Sequence, residues 1–151
     1  MDCLYKTTTK FTLDEYRKFN RAIIKKKRIL LISIIAVVLI VVSGIILDNT
    51  FFIIFAIFYP FLLLIAMNIG VKRTFNSNKL LQNVVVEYEF YQDYLLEKHE
   101  SGEAKVPYEK LDSIIETKTN FYLMIAKNQG FMISKENLPE GLEDFIRNIK
   151  K

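Results

Sequence analysis

Across residues 29–71 the only charged side chain is Asp48, and it sits in a three-residue polar break, Asp48-Asn49-Thr50, between two apolar runs. The runs cover residues 29–47 and 51–71. At ~1.5 Å per helical residue they would reach roughly 28 and 32 Å, matching a hydrocarbon core of ~30 Å. One unbroken helix would be about twice too long for a bilayer, so the chain must reverse. Asp and Asn close turns through hydrogen bonds from side chain to backbone, and a charge at that depth needs water. The spacing therefore predicts a transmembrane helix over 29–47, an extracytoplasmic turn at 48–50 and a second transmembrane helix over 51–71.

Four cations, Lys25, Lys26, Lys27 and Arg28, precede the first run, and Lys72 and Arg73 follow the second, while the turn carries none. Lysine and arginine accumulate on the cytoplasmic side, so the reading is a two-span protein of the plasma (cytoplasmic) membrane with both termini cytoplasmic. A cleaved signal peptide fits poorly, because about two dozen mostly polar residues precede the run and no small-residue cleavage pattern follows it. A soluble fold fits no better, since a chain of 151 residues cannot cover two helices that are apolar all round.

The net charge of +4 reflects the same edge. Without those six cations the rest of the chain is acidic, and residues 74–151 carry ten Lys/Arg against thirteen Asp/Glu. A nucleic-acid partner would need the cations in the folded domain, where they could displace counterions from phosphates. Cys3 is the only cysteine, so no intramolecular disulfide can form, which agrees with a reducing compartment.

Within the runs, Ser33, Ala36, Ile40, Ser43 and Gly44 share one helical face, as do Ala56, Leu63, Ala66 and Gly70 on the second. Small residues let backbones approach where no hydrophobic drive exists between helices. The plain reading is that they zip the hairpin; the sharper one is a homodimer or a partner helix. Pro60 predicts a bend, and Asn68 lies near enough to the cytoplasmic end to reach headgroups. With no ionisable group at mid-bilayer, a transport pathway finds no support.

Ahead of the hairpin, YKTTTKF alternates at period two and predicts a strand within residues 1–12. Thr12-Leu13-Asp14-Glu15 is a capping-box sequence, and Leu13, Tyr16, Phe19, Ile23 and Ile24 form an amphipathic stripe, predicting a lead-in helix over 13–28. Residues 72–83 read as a polar linker. In VVVEYEF, Val84, Val86, Tyr88 and Phe90 share one face and Glu87 and Glu89 the other, a half-buried strand. Further strands are expected over 94–98, 104–108, 111–117, 121–126 and 131–134, with turns at 99–102 and 128–130. Leu142, Phe145, Ile146 and Ile149 have helical spacing, with Asn137 as N-cap and Pro139 and Glu140 in the first turn. The fold class is thus a membrane α-hairpin of two transmembrane helices plus a small α+β or all-β domain, residues 84–151, of about six or seven strands closed by a C-terminal helix. The strand near Tyr5 could enter the same sheet.

The run VPYEKLDSIIETKTNFYLMIAKNQGFMISKENL, residues 106–138, resembles the C-terminal domain of the YcxB-like family of bacterial membrane proteins. The resemblance rests on a Pro-Tyr start, on Ile114, Glu116 and Thr117 at a strand end, on the aromatic pair Phe121 and Tyr122, and on Ile133 with Lys135. FTLDEYRKFN, residues 11–20, resembles that family's lead-in to a two-helix hairpin. The resemblance implies a PH-like domain tethered to the inner membrane face. That family has no established common activity, so no functional residue carries over.

His99 is the only histidine and falls in an expected turn, which excludes a multi-histidine metal site or a serine–histidine triad. Gly102, Gly130 and Gly141 are isolated and form no phosphate cradle, and Glu87 and Glu89 follow from strand alternation without chemistry. No catalytic, cofactor-binding or metal residue is expected, and the chain reads as a non-enzyme. The leading expectation is a membrane-anchored interaction module for a membrane or cytoplasmic protein partner, in envelope stress or self-protection against membrane-active peptides. One alternative is sensing of anionic lipid through Lys105, Lys127 and Lys135, against which the domain's acidic balance argues. Another is an accessory subunit of a transporter, docked through the small-residue faces.

Overall fold

The computed structural model describes residues 2–26, 29–78, 82, 84–100 and 102–149. Strand β1 (Tyr5–Lys10) is followed by helix α1 (Leu13–Lys26), α2 (Ile29–Ile46) and α3 (Thr50–Ser77). Six strands then run β2 (Val85–Phe90), β3 (Tyr94–His99), β4 (Gly102–Pro107), β5 (Ser113–Glu116), β6 (Asn120–Ala126) and β7 (Gln129–Ser134), and α4 (Leu142–Asn148) closes the chain.

Helices α2 and α3 pack as an antiparallel hairpin whose outer surfaces carry a dense set of exposed Ile, Leu, Val and Phe side chains. One of them, α3, is long and apolar enough to cross a membrane, with a window of mean hydropathy 2.5; α2 is apolar but shorter. The reversal is tight. Asp48 takes a left-handed φ of 47°, a conformation Asp tolerates better than most residues, and the Asn49 side chain caps α3 by accepting from the Phe51 N–H at 3.0 Å. Gly44 allows a close approach there, since a Cβ would meet Ile53 Cγ1 at 3.0 Å and Phe52 Cβ at 3.1 Å.

The contact face only partly follows the expected small-residue stripes. Ala36, Ile40, Gly44, Ala56 and Leu63 are turned inward, whereas Ser43, Ala66 and Gly70 are exposed. On α3 the inward face proceeds through Tyr59, Leu63, Met67, Val71 and Phe75, a four-residue step that leaves Ala66 and Gly70 outside. Helix α3 also continues through Pro60 and beyond residue 71, so the segment expected as linker is helical as far as Ser77. Its last turns have a partner: Tyr16 of α1 packs against Phe75, ring centroids 5.8 Å apart.

The strands form two antiparallel sheets, β1-β2-β3-β4 and β5-β6-β7. Strand β1, which precedes the hairpin, pairs with β2, which follows it, from Tyr5 opposite Phe90 to Lys10 opposite Val85. Thr9 Oγ1 accepts from the Ser134 N–H at 3.0 Å and so ties the first sheet to β7 of the second. Val86, Tyr88, Phe90, Leu95, Phe121, Leu123 and Ile133 fill the space between the sheets, with Leu142 and Ile146 of α4 closing one end.

Strand β6 is buried on both faces. Phe121 and Leu123 point into this core, while Tyr122 and Met124 point the other way, under Phe19, Ala22 and Ile23 of α1. This accounts for its unbroken apolar stretch FYLMIA, since a strand covered on both sides loses alternation. The N-cap of α4 is Gly141, at φ 84°, and not the expected Asn137. The chain first turns through residues 136–141, and a left-handed φ at the last of these favours glycine, which has no Cβ to strain.

Candidate functional site

Helix α1 starts as its sequence dictates, with the Glu15 N–H donating to Thr12 Oγ1 at 3.2 Å. The other half of the expected capping box is not made. The Glu15 carboxylate instead accepts from Asn120 Nδ2, a fully buried amide on β6, and from Lys18 Nζ at 2.7 Å. A buried amide left unpaired is costly, so the carboxylate serves Asn120 rather than its own helix end. Phe19 packs against Tyr122 one turn later, the ring centroids 5.4 Å apart and the rings tilted by 57°. These contacts fix α1 across the outer face of the second sheet.

Beside this contact lies an open groove of about 960 Å³. Lys18, Arg21 and Ala22 of α1 form one wall; Ile115, Glu116 and the turn Thr117-Lys118-Thr119 form the other; Tyr122 lies in the floor and Lys135 closes one end. Four cations and one carboxylate therefore converge from three separate parts of the chain. Lys18 is neutralised by Asp14 and Glu15, at 3.3 and 2.7 Å, and Lys135 by Glu116 and Glu143, at 2.6 and 3.4 Å. Arg21 and Lys118 are exposed and have no ion-pair partner among the described residues.

The Tyr122 side chain is 1% exposed, and its hydroxyl lies near Glu15, Thr117 and Lys18 but meets no partner in hydrogen-bonding geometry; the Glu15 carboxylate is already engaged by Asn120 and Lys18. Burial pushes its pKa up to about 12, so the phenol stays protonated and remains a donor near neutral pH. An unsatisfied buried hydroxyl costs about 1–3 kcal/mol. The Glu116 carboxyl is held down at about 2, first by the Arg147 guanidinium, at 2.7 and 3.0 Å, and then by Lys135.

Two other polar sites stand out. Glu97 faces Tyr88 across β2 and β3, and burial raises its pKa above the ordinary carboxylate value. Glu89, expected on the solvent face, is buried and lies between Lys98, at 2.8 Å, and Tyr91, at 2.9 Å, with its pKa lowered chiefly by Lys98. Among the described residues no group of three or more His, Cys, Asp or Glu side chains is placed to hold a metal ion.

The three lysines considered for lipid contact are not brought together. Lys105 lies on β4 with Nζ 3.8 Å from the Tyr94 ring centroid, Lys127 in the β6–β7 turn, and Lys135 past the opposite end of β7, 4.1 Å from the Phe121 ring centroid. Strand rise separates the last two by roughly 20 Å. Lys72 and Arg73 are exposed on the last turns of α3. Lys25 and Lys26 end α1; Lys27 and Arg28 lie outside the described residues. His99 ends β3, paired with Gly102. Only Lys135 of the expected set lines the groove. Lys18, Arg21, Lys118 and Tyr122 carried no sequence signal as a group, because they meet only when α1 docks on β6.

No curated protein and no solved structure matches the chain. Residues 90–149, from the end of β2 through α4, match the family model described as YcxB-like protein, and over this stretch the chain is similar to that family.

Proposed function

We propose that the chain is a membrane-anchored binding module, with α2 and α3 crossing the bilayer together and the β-domain held at the cytoplasmic surface, where it engages a partner. The pairing of β1 with β2 carries this reading. It holds the two ends of the hairpin side by side, so a bilayer crossed by α3 is crossed back by α2. The flanking cations favour the cytoplasm for that side. The 18 residues of α2 rise ~27 Å, which suits the hydrocarbon thickness, and the exposed large apolar side chains on α3 end at Ile69. Two sheets of four and three strands with a C-terminal helix are compatible with the PH-like build that the family resemblance implies.

Helix α1 makes the module more than a tethered domain. It touches α3 through Tyr16 and the second sheet through Phe19, so domain and hairpin are joined through one element. Cys3, exposed and the only cysteine, gives a direct test in intact cells. A membrane-impermeant maleimide should label it only after permeabilisation, while Asp48→Cys in a Cys3→Ser background should label without it. Labelling of Cys3 in intact cells would overturn the orientation. For the binding role, proteins captured with the full chain should be lost when residues 84–151 are deleted; unchanged capture would overturn it.

A further inference from the structure

The groove beside α1 gathers positive charge in a domain whose sequence is acidic overall. Its two unpaired cations come from different elements, Arg21 from α1 and Lys118 from the β5–β6 turn, and face a shared space. An arginine fork and a lysine point charge together suit an anionic oxygen cluster. A second, independent feature is Tyr122, which lines the groove and whose hydroxyl is buried and without a partner in hydrogen-bonding geometry. A phosphate oxygen entering the groove would give that donor an acceptor.

The position of the groove points to the source of the anion. Arg21 also borders a small cavity of about 70 Å³ formed with Leu64, Asn68 and Val71 of α3, at the level where the exposed apolar surface of α3 ends. In a bilayer crossed by α2 and α3, headgroups occupy that level. Cations beside an acidic leaflet are attracted to it, and two unpaired cations are available here. Glu116 also borders the groove, but its carboxylate already accepts from Lys135 and Arg147.

We propose that Arg21, Lys118 and Tyr122 form a binding site for a phosphate-bearing anion, supplied as the headgroup of an acidic phospholipid. The source, though not the chemistry, rests on the membrane anchoring proposed above.

The test uses the full chain in neutral detergent, titrated in native mass spectrometry with phosphatidylglycerol, with phosphatidylcholine, and with soluble glycerol phosphate. Wild type should retain phosphatidylglycerol about tenfold better than phosphatidylcholine, and Arg21→Ala with Lys118→Ala should lower that retention about tenfold. Tyr122→Phe should weaken retention severalfold while leaving the melting temperature equal or higher, because it removes only an unpaired hydroxyl. Binding of glycerol phosphate that the same variants abolish would support the site and make its ligand soluble. Equal retention of the two lipids without glycerol phosphate binding would overturn the proposal. So would phosphatidylglycerol retention unchanged in both variants, which would assign it to the cations flanking the hairpin. A chain that stays monodisperse without detergent would instead overturn the anchoring, and the glycerol phosphate titration would then decide the site alone.

Discussion

Gly130 shows how little space a single position can have in this fold. It lies opposite Met124 on β6, where a Cβ would fall 2.6 Å from the Leu123 carbonyl oxygen and 2.9 Å from Met124 Cα. Backbone atoms cannot swing aside as a side-chain tip can. Gly130→Ala should therefore destabilise the domain by about 2 kcal/mol or more, read as a fall of roughly 10 °C in melting temperature. Glu97 is the opposite case, a residue whose ionisation works against the fold. Burial raises its folded pKa above the ordinary value of 4.5, so its contribution favours folding at low pH and is lost as pH rises through the folded pKa. Glu97→Gln should melt higher than wild type at pH 8 and lose part of the pH dependence in calorimetry. Equal melting at that pH would show that Glu97 is solvated as well in the fold as in the open chain.

At the scale of elements, α1 and α4 are attached by different physics. α1 is held by packing: Phe19, 7% exposed, lies on Tyr122, with Ala22 and Ile23 buried alongside. Phe19→Ala should cost about 3 kcal/mol and expose the outer face of β6, measurable by chemical denaturation and by faster hydrogen exchange at Tyr122 and Met124. α4 joins the core through Leu142 and Ile146, and ion pairs on its outer side connect it to β5. Arg147 donates to Glu116 at 2.7 and 3.0 Å and to Glu143 and Asp144 on its own helix. Because Glu116 titrates at about 2 when folded against 4.5 when free, these pairs act fully above pH 4.5 and fade as pH falls to about 2. Glu116→Gln should remove that acid-dependent loss from the melting curve. The pairs are partly exposed and screened by salt, so the effect at neutral pH should be small.

The arrangement of the whole molecule makes a claim about depth. If α2 and the facing part of α3 span the hydrocarbon, nitroxides at the exposed positions Leu39 and Phe58 should relax with oxygen and ignore a water-soluble nickel chelate. A nitroxide at the exposed Asn76, on the last turn of α3, should do the reverse. Nickel access at Phe58 would mean that oil does not surround the hairpin.

Elements whose signal is periodic and local were legible in the chain before any folding. The apolar runs around Asp48-Asn49-Thr50 fixed two helices and their reversal, and the alternation in β1 and β2 fixed strands with Thr9, Val86 and Tyr88 turned inward, because burial on one face leaves a period in the chain. The run FYLMIA foretold a strand but not the helix lying over it. Tertiary structure alone decided that β1 crosses from one end of the hairpin to pair at the other, that Glu15 turns from its cap to Asn120, that α4 starts at Gly141, and that Lys18, Arg21, Lys118 and Tyr122 line one groove. These outcomes depend on contacts between residues that can lie more than a hundred positions apart, and a linear pattern carries no information about which distant surfaces will meet.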